Sequence, residues 1–249
     1  MTLEREPNDP RAEPIFNVPP GVLWLIALFG GVMAWRFWLS AESDGLFVWM
    51  LAFIPARFSG LAGELPGGEL ATWTSLFTHM GVHADVAHLM FNGASLLAFG
   101  GAIEKRIGAL RMLAFFVACG LLGALTFLIM NPGLEAPMIG ASGAIAGLMG
   151  GLLRFLFSAL DYGGLRQLHQ DPAGVPLMPL GVALQDRRVQ ITTLSFILMN
   201  LAAKFGLGDV SAGSIIAWET HIGGYIAGFL LFGWFDVAPR KTEEGQPIL

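Results

Sequence analysis

Charge is what this sequence has least of. Only 13% of its 249 residues are charged, about half of the roughly 25% usual in soluble domains, while 54% are hydrophobic. That scarcity excludes a free-standing soluble domain and leaves an integral membrane protein. There is a single cysteine, Cys119, so no intramolecular disulfide can form and the redox compartment is not readable from cysteine usage. No feature points to a nucleic-acid partner. The first apolar run has neither a positively charged start nor a small-residue cleavage site, so a retained anchor is expected rather than a signal peptide. An inverted repeat and a row of intramembrane carboxylates are both missing, which counts against a transporter. An Arg-rich, acid-poor transit segment is missing too, and a bacterial inner (plasma) membrane is expected rather than an organelle.

What is present is apolar sequence in long runs. Segments able to cross about 30 Å of hydrocarbon lie near Gly21 to Trp38, Val86 to Ile103, Met112 to Met130, Met138 to Phe157, Ile191 to Gly206 and Ile215 to Phe235. The expected fold is all-α: a polytopic membrane protein with a bundle of six transmembrane helices. Residues 21–236 form the membrane domain, with cytoplasmic polar tails at 1–20 and 237–249. Lys204 cuts the fifth run near the minimum length. Leu46 to Ile54 is too short to span and reads as an interfacial or re-entrant piece within a long outer connection, Ser40 to about Asp85. A second connection, roughly Ser158 to Gln190, carries Gly163, Gly164, Pro172, Pro176 and Pro179 and faces the cytoplasm.

Orientation follows from where positive charge falls. With six spans, the side holding both termini carries Arg5, Arg11, Lys105, Arg106, Arg111, Arg154, Arg166, Arg187, Arg188, Arg240 and Lys241. The opposite side carries Arg36, Arg57 and Lys204. Both termini are therefore expected in the cytoplasm.

Within this apolar frame a few polar residues stand out, because polar groups in lipid are costly to keep without a task. Ser142 opens the fourth run in a G-x-S-G step, and His221 lies inside the last run. In the second run His88 and Asn92 are four residues apart, on one helix face and about 6 Å apart along the axis. Two donors aimed at one point suit a developing oxyanion together with the Ser142 amide. The alternative for that pair is a polar clasp between helices, and for Ser142 a packing serine. Gly140, Gly143, Gly147, Gly150 and Gly151 line the fourth run, and Gly224 and Gly228 in the last run offer a matching small-residue surface for close backbone approach. Counted from the outer side, Ser142, His88 and His221 fall at similar shallow depth on three separate helices. That agreement favours a nucleophile and base over three unrelated polar residues.

These pieces resemble the rhomboid intramembrane serine proteases. His79-Met-Gly-Val-His83 followed by His88-Leu-Met-Phe-Asn92 is similar to the histidine-rich start of that family's second helix. Gly100-Gly101-Ala-Ile-Glu104-Lys-Arg-Ile-Gly108 is similar to the turn after it. Gly140-Ala-Ser142-Gly143 resembles the family's nucleophile motif, and His221-Ile-Gly-Gly224-Tyr-Ile-Ala-Gly228 its histidine motif. The resemblance covers roughly Thr72 to Asp236. It implies a rhomboid-like six-helix bundle with Ser142 as nucleophile, His221 as general base, and His88, Asn92 and the Ser142 amide as the oxyanion site. It implies acyl transfer without a cofactor or metal, water entering from the outer side, and transmembrane proteins in the lipid bilayer as substrates. As base, His221 must be neutral, so activity is expected to fall as pH drops through its titration.

Three positions depart from the family's pattern. Thr74-Ser75 stand where many members have Trp-Arg, which leaves open how the first loop is braced. Thr220 precedes the histidine in place of alanine. Ala146 stands one turn after the serine, where a bulky aromatic often packs on the histidine; Trp218 or Tyr225 could hold His221 instead. Glu219, two residues from His221, belongs to a different helix face. His79 and His83 have the spacing of a zinc pair on a helix, yet no acidic or cysteine ligands lie near, so structural hydrogen bonding is the expectation. The competing functional reading is a rhomboid-like protein that binds transmembrane helices without cutting them.

Overall fold

The computed structural model describes residues 18–205 and 217–236. Most of both tails, with Arg5, Arg11, Arg240 and Lys241, lies outside the described residues, as do Gly206 and the start of the sixth apolar run. The elements are α1 (Pro20–Arg36), α2 (Ala41–Leu51), α3 (Gly68–Thr78), α4 (Val86–Ile107), α5 (Ala109–Met130), α6 (Ser142–Leu153), α7 (Leu156–Gln170), α8 (Leu180–Gln185), α9 (Arg187–Lys204) and α10 (Trp218–Phe235). Among the described residues there is no strand, only one antiparallel bridge between Phe53 and Met138. The chain is an all-α polytopic membrane bundle.

Each apolar run contributes a helix over its described residues, and polar side chains set several of the ends. Asp85 caps α4 by accepting from the His88 amide at 2.8 Å, and Asp186 caps α9 by accepting from the Arg188 amide at 2.8 Å. These side chains satisfy amides that the first turn leaves free. The start of α1 has no cap of its own. The buried Glu104 carboxylate of α4 supplies one, taking the Gly21 and Val22 amides at 2.8 Å each. Among the described residues, α4 and α5 are each long and apolar enough to cross a membrane alone.

The fourth run departs from the sequence reading. In place of a helix over Met138 to Phe157, α6 begins at Ser142 and stops at Leu153, and α7 leaves at 84°. Its start is delayed because Met138 is held extended by mutual backbone bonds to Phe53 at 2.9 and 3.0 Å. Its end is set by Arg154, whose buried guanidinium gathers the carbonyls of Met178 and Phe229. The second connection is likewise not plain loop: it contains most of α7, with non-helical backbone at Gly163 and Gly164, a 3-10 turn and α8.

At the centre α6, α10 and α5 pack on one another, with α4 against α6 and α1 against α4 and α5. The principal neighbour of α9 is α10. The first long connection, Ser40 to about Asp85, is folded as well. Leu46 to Leu51 lies in α2 with no buried residue, whereas Phe53 and Ile54 are fully buried. Arg57, also buried, ties the loop by donating to the carbonyls of Trp49 at 2.6 Å and Pro66 at 2.9 Å. The brace left open at Thr74-Ser75 is therefore supplied by Arg57 and by backbone pairing to the segment that precedes Ser142.

Candidate active site

Ser142 is the first residue of α6. Its amide lies in the turn where a helix has no internal partner for its N–H groups and where the dipole presents its positive end. Ser142 Oγ is 2.7 Å from His221 Nε2 of α10. The contact joins residues from two separate apolar runs, and close helix approach makes it possible. A Cβ placed on Gly224 would overlap the Gly143 carbonyl, and one on Gly228 the Gly147 carbonyl. No residue larger than glycine fits those two steps at this separation.

His88 reaches the same place from α4. Gly140, at φ +116° and with its amide on the His79 carbonyl at 2.9 Å, presents its open side to both groups. A Cβ there would lie 2.8 to 2.9 Å from the His88 ring and 3.9 Å from Ser142 Oγ. Asn92 is buried one turn along α4, its Nδ2 donating to the His88 carbonyl at 3.0 Å, which leaves its second N–H for another acceptor. The structure thus gathers Ser142, His221 and His88 around one point, with Asn92 bonded to the His88 carbonyl one turn along α4.

Gly140→Ala is accordingly expected to push the His88 ring away from Ser142 and to lower any turnover at this site by about 10²-fold or more, the usual cost of losing one donor from an acyl-transfer site. The stability cost is about 1–2 kcal/mol for a left-handed alanine. Proteolysis in liposomes and a melting curve on one preparation check both.

The second ring nitrogen of the histidine meets a residue that the sequence reading passed over. Asn200 of α9, 8% exposed, places Oδ1 2.7 Å from His221 Nδ1. An amide in the middle of an otherwise apolar run was the available signal. Tyr225 turns toward α9, stacking on Phe196 at 4.9 Å and bonding Thr193 at 2.5 Å. Trp218 receives Lys204, whose Nζ lies 4.6 Å from its ring. The bond recorded at His221 Nδ1 is to Asn200, and Ala146 is buried in an apolar cluster with Tyr225 and Phe229.

A family model described as the Rhomboid domain matches residues 70–238, more than half of the chain. The chain belongs to the rhomboid family. It is 29% identical over 182 residues to the rhomboid protease GluP of Bacillus subtilis (strain 168), a stretch covering 71% of this chain and 29% of that protein. It is 37% identical over 108 residues to the putative rhomboid protease YdcA of the same organism, covering 41% and 54%. RHOMBOID-like protein 4 of Arabidopsis thaliana is 27% identical over 184 residues, covering 68% and 39%. The matched stretch spans about half or less of the length of each of these relatives.

Within this rhomboid-family chain, His79 and His83 do not share a helix. His79 caps the end of α3 and its Nδ1 donates to the Ser75 carbonyl at 2.7 Å. His83 follows in the chain before α4, its ring 5.0 Å from Phe29 and 5.2 Å from His88. Among the described residues no group of three or more His, Cys, Asp or Glu side chains could hold a metal ion.

Proposed function

We propose that this protein is an intramembrane serine protease that hydrolyses peptide bonds in or near transmembrane segments of membrane proteins. The observation that carries the reading is the 2.7 Å contact between Ser142 Oγ and His221 Nε2. Ser142 attacks the peptide carbonyl carbon while its hydroxyl proton passes to His221. The tetrahedral oxyanion is met by the Ser142 amide, His88 and Asn92. His221 then returns the proton to the leaving amine, and water hydrolyses the acyl-enzyme. In this reading both termini lie in the cytoplasm of a bacterium and the site lies near the outer leaflet of its inner membrane, which the distribution of Lys and Arg along the sequence supports.

A spanning helix hides its backbone amides, so a substrate must unwind before reaching Ser142. Cleavage at small residues near Gly or Pro follows from that requirement. The non-cutting alternative drew on Ala146, since an unsupported histidine would be a poor base. The Asn200 contact weakens that objection.

The deciding experiment is cleavage of a single-span substrate by the purified protein in liposomes, beside Ser142→Ala. Product from the parent and none from the variant supports the reading. No product from either, with substrate retained by both in a pull-down, overturns it in favour of a helix-binding protein.

A further inference from the structure

We infer that Asn200 is a positioning residue for the base, fixing the tautomer and aim of His221 so that the site works as a Ser142–His221–Asn200 relay. This rests on the protease reading and adds to it a third member, drawn from α9.

The argument is one of hydrogen-bond polarity. Asn200 has one carbonyl oxygen and one amide nitrogen, and the two are not interchangeable here. Its Nδ2 lies 2.8 Å from the Phe196 carbonyl, an acceptor with no proton to give, so Nδ2 must be the donor. The atom facing His221 is then Oδ1, at 2.7 Å, and it can only accept. His221 Nδ1 must therefore carry the proton, which leaves Nε2 bare toward Ser142 Oγ at 2.7 Å. The opposite tautomer would set two lone pairs against each other, and a flipped amide would do the same at Phe196. One backbone carbonyl on α9 thus determines which nitrogen of a histidine on α10 can take the serine's proton.

During attack Ser142 Oγ forms its bond to the carbonyl carbon as its proton moves to Nε2. The imidazolium keeps its Nδ1 proton on Asn200, and Nε2 later releases its own to the amine. The bond to Asn200 is present in both charge states, so the ring need not turn between steps. Proximity of this kind depends on holding the reacting atoms within about 3–3.5 Å. The nearest other titratable groups are engaged elsewhere or lie across the site. Glu219 of α10 accepts from Asn131 at 3.3 Å, Lys204 of α9 covers Trp218, and His88 faces from α4.

The test uses the full chain in liposomes with Asn200→Leu, which is likewise branched at Cγ but has no acceptor, and Asn200→Asp, which keeps one. Asn200→Leu is expected to lower kcat by about 10- to 100-fold, the usual effect of removing an outer partner that orients a histidine, with KM within about twofold. Asn200→Asp should restore much of kcat and move the acid limb of the pH–rate profile upward, because a carboxylate favours the imidazolium. Nitrogen-15 shifts of the His221 ring, read without substrate, should report a protonated Nδ1 and bare Nε2 in the parent and a mixture in Asn200→Leu. Unchanged kcat and unchanged ring shifts in Asn200→Leu would overturn the inference. If that variant does not fold, an unshifted profile in Asn200→Asp overturns it instead. A parent that cleaves nothing refutes the protease reading, and the ring shifts alone then decide whether Asn200 sets the tautomer.

Discussion

Alanine at Ser142 or at His221 is expected to lower turnover by about 10⁴- to 10⁶-fold, and alanine at both no further than the worse of the two. The reason is that the pair acts as a unit. With Oγ and Nε2 at 2.7 Å, the hydroxyl is a nucleophile only when the ring takes its proton, and the ring has a task only when the hydroxyl is there. Residual turnover would come from the donors around the oxyanion and from binding, which neither change removes. Both side chains are only half-buried, so the melting temperatures of all three variants should stay near that of the parent. Rates from single-turnover cleavage in liposomes check the proposal. Losses that multiply in the double variant would mean that the two residues act independently, and the relay from serine to histidine would be abandoned.

How much of this was legible beforehand depended on whether the signal was local. Apolar runs are local, and each of the six contributes a helix over its described residues, the fourth only from Ser142 to Leu153 before the chain bends away. The Ser142 and His221 motifs are local as well, and depth counted along the helices was enough to bring them together. What was not legible came from contacts distant in sequence. The late start of α6 follows from Phe53 pairing with Met138, which leaves no mark on the hydropathy of Met138 to Phe157; its early end falls at Arg154, visible there as a lone charge, but the carbonyls of Met178 and Phe229 that it reaches are not legible from the run. Asn200 was visible as a lone amide. Its partner was not, because the pairing of α9 with α10 depends on how two helices are rotated against each other. Ala146 read alone suggested a loosely held histidine, and only the geometry put an amide at Nδ1 in place of an aromatic face.

Asp236→Ala is expected to destabilise the bundle by about 3–5 kcal/mol, the range for stripping one partner from a buried ion pair. Arg106 and Asp236 are 3% and 7% exposed at the side chain, and they meet through two parallel bonds, Nε to Oδ1 at 3.0 Å and Nη2 to Oδ2 at 2.7 Å. Arg106 Nη1 also donates to the carbonyls of Pro172 at 2.6 Å and Val175 at 3.0 Å, and the guanidinium lies 4.6 Å from the Phe155 ring centre. Removing Asp236 leaves that charge held in place and without its counter-ion. Asp236→Asn, which keeps one acceptor, should lose less. Equilibrium unfolding of the purified protein measures both, and a loss below about 1 kcal/mol for Asp236→Ala would mean that water reaches the guanidinium. The pair fastens the C-terminal end of α10 to α4 and to the turn after α7, whereas His221 sits at the other end of the same helix, bonded to Asn200. Asp236→Ala should therefore lower stability and leave kcat near that of the parent at a permissive temperature. Asn200→Leu should do the reverse, and the contrast between the two variants separates what holds α10 in the bundle from what aims its histidine.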